Sequence, residues 1–480
     1  MVLPKIIQGG MGAGVSNWRL ARAVARRGHL GVVSGTALDL IVSRRLQDGD
    51  SSHDMRRALD AFPVPAMAQR VLQRHFIAGG RDPEGPYRSK PLVGHEPSRD
   101  LVELIVIANF VEVWLAKEGH DGPVGINYLD KIQAPILPSI YGAMLAKVDV
   151  VTMGAGVPLA IPGVLDAFSV GDEAAVDLYW QSSSASTRPR LRFDPKTFFD
   201  AEAPHLERPT FLPIVSSAIL AAKFLRHAPT GIAGFVIETP LAGGHNAPPR
   251  GWRNVDPAVE PQYGPRDEPD LARFAALGLP FWLAGAYGHT RGLEAALARG
   301  AEGIQVGTLF AFCEESGVTD SIKRRVVAEA LAGRSRVFTD PVASPTGFPF
   351  KVLRLEGTNS DPEIATARTR VCDLGYLREA FETPEGGVGW RCPGESFATW
   401  QRKGGQLEDA QGRKCLCNGL MANIGLAQRR PDGQRELPLL TSGDAIDRLR
   451  DFLPAGASSY RAQDVLDYLA PQTLSVPAVG

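Results

Sequence analysis

Length, composition and charge exclude several classes of protein at the outset. The 480 residues are 44% hydrophobic and 22% charged, which is typical of a globular protein with a sizeable core. The 52 basic and 53 acidic residues leave a net charge of -1, so no global electrostatic attraction to nucleic acid or to an anionic membrane is expected.

The sequence also lacks the usual signals for export or membrane insertion. The N-terminus reads MVLPKIIQGGMG, without the basic and long apolar segments of a signal peptide, and no apolar stretch is long enough for a membrane-spanning helix. Five cysteines in so long a chain do not suggest a secreted disulfide scaffold. We therefore expect a cytoplasmic protein with neither membrane nor nucleic acid as a partner.

The first 35 residues contain one complete strand–turn–helix unit. A β-branched run at Lys5–Gln8 leads into a glycine-rich turn, and a helix is predicted from Asn17 to Arg27. Gly28 is placed to end that helix, and Leu30–Ser34 predicts a second strand.

The same alternation returns later in the chain. With the first two strands, the later ones make eight apolar runs, separated mostly by helix-compatible segments, which predicts a (β/α)8 TIM barrel; a doubly wound sheet is the competing arrangement. The later strand candidates are Pro123–Asn127, Asp149–Gly154, Phe211–Ser216, Phe235–Glu238, Phe281–Gly285 and Gly303–Thr308.

Two stretches interrupt this rhythm, and a third follows it. Residues 36–121 and 170–208 are too long or too polar for simple connections, and we interpret them as helical or irregular insertions that are candidates for a lid. Residues 1–340 would then form the barrel. Residues 341–480 would form a C-terminal appendage with a cysteine cluster and a helix at Ala462–Leu469.

Glycine-rich turns follow several of the predicted strands. The active site of such a barrel lies at the carboxyl ends of its strands, and the loops after strands seven and eight often bind phosphate. Gly285, Gly288, Gly307 and Thr308 occupy those loops, although tight connecting turns would look similar. The first loop is not a dinucleotide fingerprint, because Val15 stands where the third glycine should be.

His245 lies in a polar loop, GGHN, after the sixth predicted strand. A lone histidine is more often structural than catalytic. This loop, however, would open at the catalytic face, where an imidazole can exchange protons near neutral pH. No two histidines have metal-ligand spacing on a helix, so a catalytic metal is not expected.

Five motifs together resemble the nitronate monooxygenase (2-nitropropane dioxygenase) family. They are QGGMGAGVSN, GINYL, MGAGVP, LAGGHNAPP and LAGAYG with GAEGIQVGTLF, and they cover roughly residues 4 to 320. The resemblance implies an FMN-binding barrel with His245 as the catalytic histidine. It places the following residues around the flavin and its phosphate: Met11, Gly12, Asn127, Gly156, Gly285, Gly288, Gly307 and Thr308.

The resemblance implies oxidation of alkyl nitronates with O2, and it leaves alternatives open. The long insertion and the C-terminal extension are more similar to FMN-dependent enoyl reductases that work beside polyunsaturated fatty acid or polyketide synthases. Such an enzyme would use NAD(P)H, an acyl-thioester substrate and an acyl carrier protein as a partner. A flavin-binding, non-catalytic partner of a synthase is a further alternative, and the oligomeric state, a homodimer included, stays open.

Four of the five cysteines lie close together in sequence. Four thiolates in tight turns suit a tetrahedral structural zinc site, with an iron–sulfur cluster as the second choice. Unpaired cytosolic thiols explain the pattern equally well. These cysteines are Cys372, Cys392, Cys415 and Cys417.

Overall fold

The computed structural model describes residues 3–181, 188–199, 202–228, 231–252, 256–430 and 432–471. The strands, in chain order, are β1 (Ile6–Gln8), β2 (Leu30–Ser34), β3 (Val124–Leu129), β4 (Val150–Gly154), β5 (Ala174–Asp177), β6 (Trp180–Gln181), β7 (Arg190–Phe193), β8 (Thr210–Val215), β9 (Phe235–Glu238), β10 (Phe281–Ala284), β11 (Gly303–Val306), β12 (Val337–Asp340), β13 (Phe350–Leu353), β14 (Glu379–Glu382) and β15 (Val388–Arg391).

Helices connect most of these strands. In chain order they are α1 (Trp18–Ala25), α2 (Leu38–Gln47), α3 (Asp54–Asp60), α4 (Pro65–His75), α5 (Arg99–Lys117), α6 (Ile136–Leu145), α7 (Ile161–Ser169), α8 (Pro195–Phe199), α9 (Ala218–His227), α10 (Leu271–Ala275), α11 (Gly292–Ala298), α12 (Asp320–Leu331), α13 (Pro362–Ala367), α14 (Phe397–Arg402), α15 (Leu407–Ala410), α16 (Leu416–Asn423) and α17 (Ala462–Leu469).

Eight parallel strands close into a barrel in the order β1-β2-β3-β4-β8-β9-β10-β11, and β11 pairs back with β1. All eight strands predicted from the sequence are barrel strands, so the (β/α)8 prediction is confirmed. Apolar side chains such as Ile7, Val150 and Trp282 fill the inside of the barrel, which is therefore a packed core and not a channel.

Local sequence explains why the helices begin where they do. The Asn17 side chain accepts a hydrogen bond from the Leu20 backbone N–H at 3.0 Å, which caps the start of α1. Ser217 caps α9 in the same way. Gly28, at φ +78°, follows the end of α1, as the sequence predicts.

The first insertion is helical and forms part of the barrel wall. Its longest helix, α5, is almost entirely buried and packs against α1, α2 and α6, so it serves as the crossover between β2 and β3. Because α5 belongs to the outer helical layer, only part of residues 36–121 remains a candidate for a lid.

The second insertion and the C-terminal region form small sheets outside the barrel. Strand β5 pairs with β7, and β6 pairs with β14 of the C-terminal region. Residues 182–187, 200 and 201 of the insertion lie outside the described residues. The hairpin of β12 and β13 straddles the predicted domain boundary at residue 340, and apolar residues on both sides of it share one core.

Within the described ranges, no helix is both long enough and apolar enough to cross a membrane.

Candidate functional site

A cavity opens at the carboxyl ends of the barrel strands. It encloses about 1410 Å³, counting its open mouth. The loops after β1, β3, β4, β9, β10 and β11 line it, so the glycine-rich turns of the sequence converge on one space.

The cavity brings together most of the predicted site residues. Those that line it are His245, Met11, Gly12, Asn127, Gly285, Gly288, Gly307 and Thr308. Gly156 does not line it; its neighbours Gly154 and Ala155 do. A side chain at position 156 would overlap the Asp130 carboxylate, so Gly156 packs against Asp130 and does not face the cavity.

Asn127 is held in one orientation at the end of β3. Its Oδ1 accepts a hydrogen bond from the Thr152 hydroxyl at 2.9 Å. The Nδ2 amide group therefore remains a donor for whatever occupies the cavity. A donor in this position suits the oxygen and nitrogen atoms on the polar edge of a flavin ring.

The loops after β10 and β11 have the form expected of a phosphate site. Gly285 has φ +95°, and any side chain there would overlap the Thr239 hydroxyl, so only glycine fits. Thr308 begins a short 3-10 turn directly after β11. Backbone N–H groups and a hydroxyl are thus available to an anion at this corner.

The C-terminal region supplies one wall of the cavity, which the sequence did not predict. Thr441, Ser442 and Gly443 line it, and the Gly443 N–H donates to the Thr308 Oγ1 at 3.0 Å. A Cβ on Gly443 would lie 2.6 Å from that oxygen and 3.0 Å from the Gly243 nitrogen. The region called an appendage is therefore built into the predicted phosphate site.

His245 is anchored by a second residue that the sequence did not predict. Its Nε2 lies 2.6 Å from the Ser344 Oγ, and the Ser344 Oγ lies 2.8 Å from the Thr346 Oγ1. Backbone pairing between His245 and Phe350 fixes the histidine from the same side. No local motif marks Ser344, because its contact with His245 spans 99 positions of the chain.

Burial keeps the His245 ring uncharged. Loss of solvent lowers the pKa of His245 to about 4. The Phe350 ring packs edge-on at 4.9 Å between centroids. Among the described residues, Nδ1 makes no hydrogen bond, so a neutral imidazole with one free nitrogen is available to exchange a proton.

Glu238, the last residue of β9, lines the same cavity without a partner in the described part of the chain. Burial raises its pKa to about 7. A carboxyl group with this pKa is partly protonated near neutral pH, and hydrogen-bond donors from a ligand would favour its ionised form.

These features fit FMN. The Glu238 carboxylate lacks donors, which the hydroxyl groups of the flavin side chain would supply. The buried Thr239 Oγ1 beside Gly285 also has no partner among the described residues. Asn127 offers a donor to the ring edge, and the glycine loops leave room for the phosphate.

The four clustered cysteines are near one another but do not form a recognisable metal site. Cys372 and Cys392 hydrogen-bond to each other, which lowers the pKa of Cys372 and raises that of Cys392. No group of three or more His, Cys, Asp or Glu side chains in the described residues is arranged to hold a metal ion. The structural zinc site at Cys372, Cys392, Cys415 and Cys417 stays a prediction without geometric support.

Comparison with known proteins supports the resemblance seen in the motifs. The nitronate monooxygenase family profile matches residues 193–372, a span that includes His245 and the loops after β10 and β11. This match confirms the predicted resemblance.

A curated relative in Mycobacterium tuberculosis, (3aS,4S,5R,7aS)-5-hydroxy-7a-methyl-1-oxo-octahydro-1H-indene-4-carboxyl-CoA dehydrogenase, is 34% identical over 243 residues. The aligned region is 50% of this chain and 61% of the relative, so less than two thirds of the relative is matched. The family and this relative agree on oxidoreductase activity.

Two solved structures are also similar. FabK from Thermotoga maritima is 16% identical, with a TM-score of 0.45 and coverage of 97% of this chain and 91% of that chain. Nitroalkane oxidase from Streptomyces ansochromogenes is 15% identical, with a TM-score of 0.47 and coverage of 97% and 94%.

Proposed function

We propose that this protein is an FMN-dependent oxidoreductase in which His245 exchanges a proton with the substrate. The observation that carries the proposal is the convergence of His245, the polar groups Asn127 and Glu238, and the glycine loops after β10 and β11 on one cavity. When bound, FMN supplies the two-electron acceptor or donor that the side chains lack.

The protein's own residues provide binding, orientation and proton transfer. The loops around Gly285 and Gly307 would bind the phosphate, and Asn127 would hold the ring edge. His245, neutral because its pKa lies near 4, would take a substrate proton on Nδ1. Its Nε2 stays on Ser344, which fixes the ring for that transfer.

An acyl thioester is the substrate class that we favour. The relative with 34% identity is named for a carboxyl-CoA substrate. In such a substrate, the proton on the carbon beside the thioester carbonyl is the one that His245 would remove, or return in the reductive direction. The enoyl-thioester reductase predicted from the sequence, with NAD(P)H as donor, belongs to this class.

The nitronate oxidase predicted from the sequence is the rival activity, because the family profile carries that name. The same His245 would then remove a proton from a neutral nitroalkane. A flavin-binding, non-catalytic partner of a synthase is the remaining alternative.

Anaerobic reduction of the flavin separates these activities. After reconstitution with FMN, the flavin absorbance is followed while a saturated acyl-CoA, NADPH, NADH or an alkyl nitronate is added. Bleaching by an acyl-CoA or by a nicotinamide supports a thioester enzyme, and bleaching by nitronate alone supports the rival. A protein that binds no FMN would overturn the proposal.

His245→Ala tests the proton-transfer role. It should keep FMN bound and slow the proton-dependent step by about 100-fold or more, in line with the contribution of a positioned acid or base. His227→Ala is the matched control, because His227 is exposed at the end of α9 and does not line the cavity. Equal rates in the two variants would refute the assignment.

A further inference from the structure

A second cavity lies between the second insertion and the C-terminal region. It encloses about 1280 Å³, counting its open mouth. Its walls come from the loop after β3 and from residues 178–181, which include β6. Pro345, Thr346, residues 374–380 and Trp390 complete them. Nothing in the proposed chemistry of the first cavity accounts for it.

Three cationic side chains line this second cavity: Lys131, Arg188 and Arg378. None of them forms a salt bridge within the described ranges. The nearby Asp130 already accepts hydrogen bonds from the Tyr179 hydroxyl and the Val157 N–H. The cavity's own carboxylate, Glu379, is neutralised by Arg391 at 2.7 Å. The cavity therefore carries net positive charge, which Asp130 beside Lys131 and Glu395 near Arg378 offset only in part.

Two backbone carbonyls hold the Arg378 side chain in the wall of the second cavity. It donates from Nε to the Gly375 carbonyl at 3.0 Å and from Nη2 to the Val93 carbonyl at 2.7 Å. Burial lowers the pKa of Arg378, because solvent is withheld from the guanidinium. Two carbonyls thus hold a partly desolvated cation in place, and the rest of its donors remain for an anion.

Aromatic rings stand beside the cations. Tyr179 is 41% exposed although it lines the cavity, and the Lys131 Nζ lies 5.0 Å from its ring centroid. Trp390 lies 5.3 Å from the Arg378 guanidinium carbon. Flat rings next to fixed cations suit a ligand that combines a base with phosphates.

The second cavity is two side chains away from His245. Thr346 lines it, and Ser344 connects the Thr346 hydroxyl to the His245 ring through contacts of 2.8 and 2.6 Å. Lys131 also lies 5.5 Å from the Phe348 ring centroid, and that ring is 6.4 Å from the His245 ring. Because Ser344 and Thr346 stand between the two cavities, a long ligand anchored in the second cavity would pass around this pair to bring its reactive end to His245.

We propose that the second cavity binds the phosphorylated adenosine end of a nucleotide whose other end reaches the His245 cavity. Lys131, Arg188 and Arg378 would hold the phosphates, and Tyr179 and Trp390 would flank the adenine. Coenzyme A thioesters and NAD(P)H share this adenosine diphosphate chemistry. The choice between them depends on the proposed function, whereas the binding itself does not.

Isothermal titration of the FMN-reconstituted protein tests the site without turnover. The probes are adenosine 3′,5′-bisphosphate for the coenzyme A end, adenosine 2′,5′-bisphosphate for the NADPH end, and unphosphorylated adenosine. We expect a bisphosphate to bind at least about 10-fold more tightly than adenosine, with affinity that falls as salt is added. The preferred bisphosphate identifies the source.

Arg188→Gln and Lys131→Gln should each weaken bisphosphate binding by about 10-fold, the amount expected for one charge-assisted contact. Arg192→Gln is the matched control, because Arg192 lies on the neighbouring strand β7 but pairs with Glu173 at 2.7 Å and does not line the cavity. All variants should keep the flavin absorbance of the parent protein.

The proposal is overturned if neither bisphosphate binds at millimolar concentration, or if Arg188→Gln and Lys131→Gln bind as tightly as Arg192→Gln. Flavin reduction by a substrate without an adenosine group would then show that the proposed function survives this failure. Nucleotide binding without flavin reduction by any tested substrate would show that the second cavity binds a nucleotide although the proposed function fails.

Discussion

Glu238→Gln should stabilise the flavin-free protein at high pH and have little pH-linked effect at low pH. The carboxylate of Glu238 lines the cavity without a partner in the described residues, and burial raises its pKa from 4.5 to about 7. Glutamine has nearly the same shape as the protonated acid and does not titrate. The substitution therefore removes the cost of ionising a buried carboxyl group.

The size of the effect follows from the two pKa values. Below about pH 4.5, the folded and unfolded chains both hold the proton, so Glu238 adds no pH dependence. Between about pH 4.5 and pH 7 only the folded state holds it, and the free energy of unfolding falls as pH rises. The full loss is about 3 kcal/mol, at 1.36 kcal/mol for each unit of pKa.

Urea unfolding of flavin-free parent and variant proteins at about pH 5 and about pH 8 measures this difference. The variant should gain about 2 to 3 kcal/mol relative to the parent between the two conditions. An unsatisfied amide would lower its stability by a constant amount at both pH values, so only the change with pH is diagnostic. Glu294→Gln, on the exposed face of α11, is the control.

A stability difference that stays the same at both pH values would refute the reasoning. It would mean that the Glu238 carboxyl group finds solvent or a donor in the flavin-free protein. The same experiment with FMN bound should show a smaller pH dependence, because hydroxyl donors of the flavin side chain would favour the ionised carboxylate.

Four further outcomes are expected. If His245 acts as a base, kcat/KM should fall only as pH drops towards about 4, where its buried ring becomes protonated; an acidic limb near pH 6.5 would contradict this. Ser344→Ala should lower kcat by about 10- to 100-fold while FMN stays bound, and Thr346→Val should have a smaller effect; unchanged kcat in Ser344→Ala would refute the anchoring role. Gly443→Ala should raise the Kd for FMN by about 10-fold, because the new methyl group would press on Thr308, whereas Gly264→Ala, with nothing within 4 Å, should not; equal Kd values would remove Gly443 from the phosphate site. Metal analysis of the purified protein should find no stoichiometric zinc and free thiols at the cysteine cluster; one zinc per chain would instead support the prediction made from the sequence.

The barrel was accessible from the sequence because its signals are local. Each strand is a short apolar run, and capping residues such as Asn17 and Ser217 mark where helices begin. A parallel strand that is buried on both faces is a continuous apolar run, so it can be identified from its own residues alone. The site loops were accessible for the same reason, since each one directly follows its strand.

The role of the C-terminal region could not be predicted, because its contacts are remote in sequence. Ser344 meets His245 across 99 positions, and Gly443 meets Thr308 across 135. Serine and glycine are common residues, and nothing beside them in the chain marks a site. Gly156 lies in the predicted loop but packs against Asp130 and does not line the cavity, so its place near the flavin stays a prediction.

The sequence by itself determined the eight-stranded barrel, the converging glycine loops and the position of His245, because each depends on residues that are neighbours along the chain. Only the tertiary structure decided which loops share one cavity, how His245 is held and kept neutral, and that a second, cationic cavity lies beside it. Burial and long-range contacts set those properties, and they exist only once distant segments have packed together.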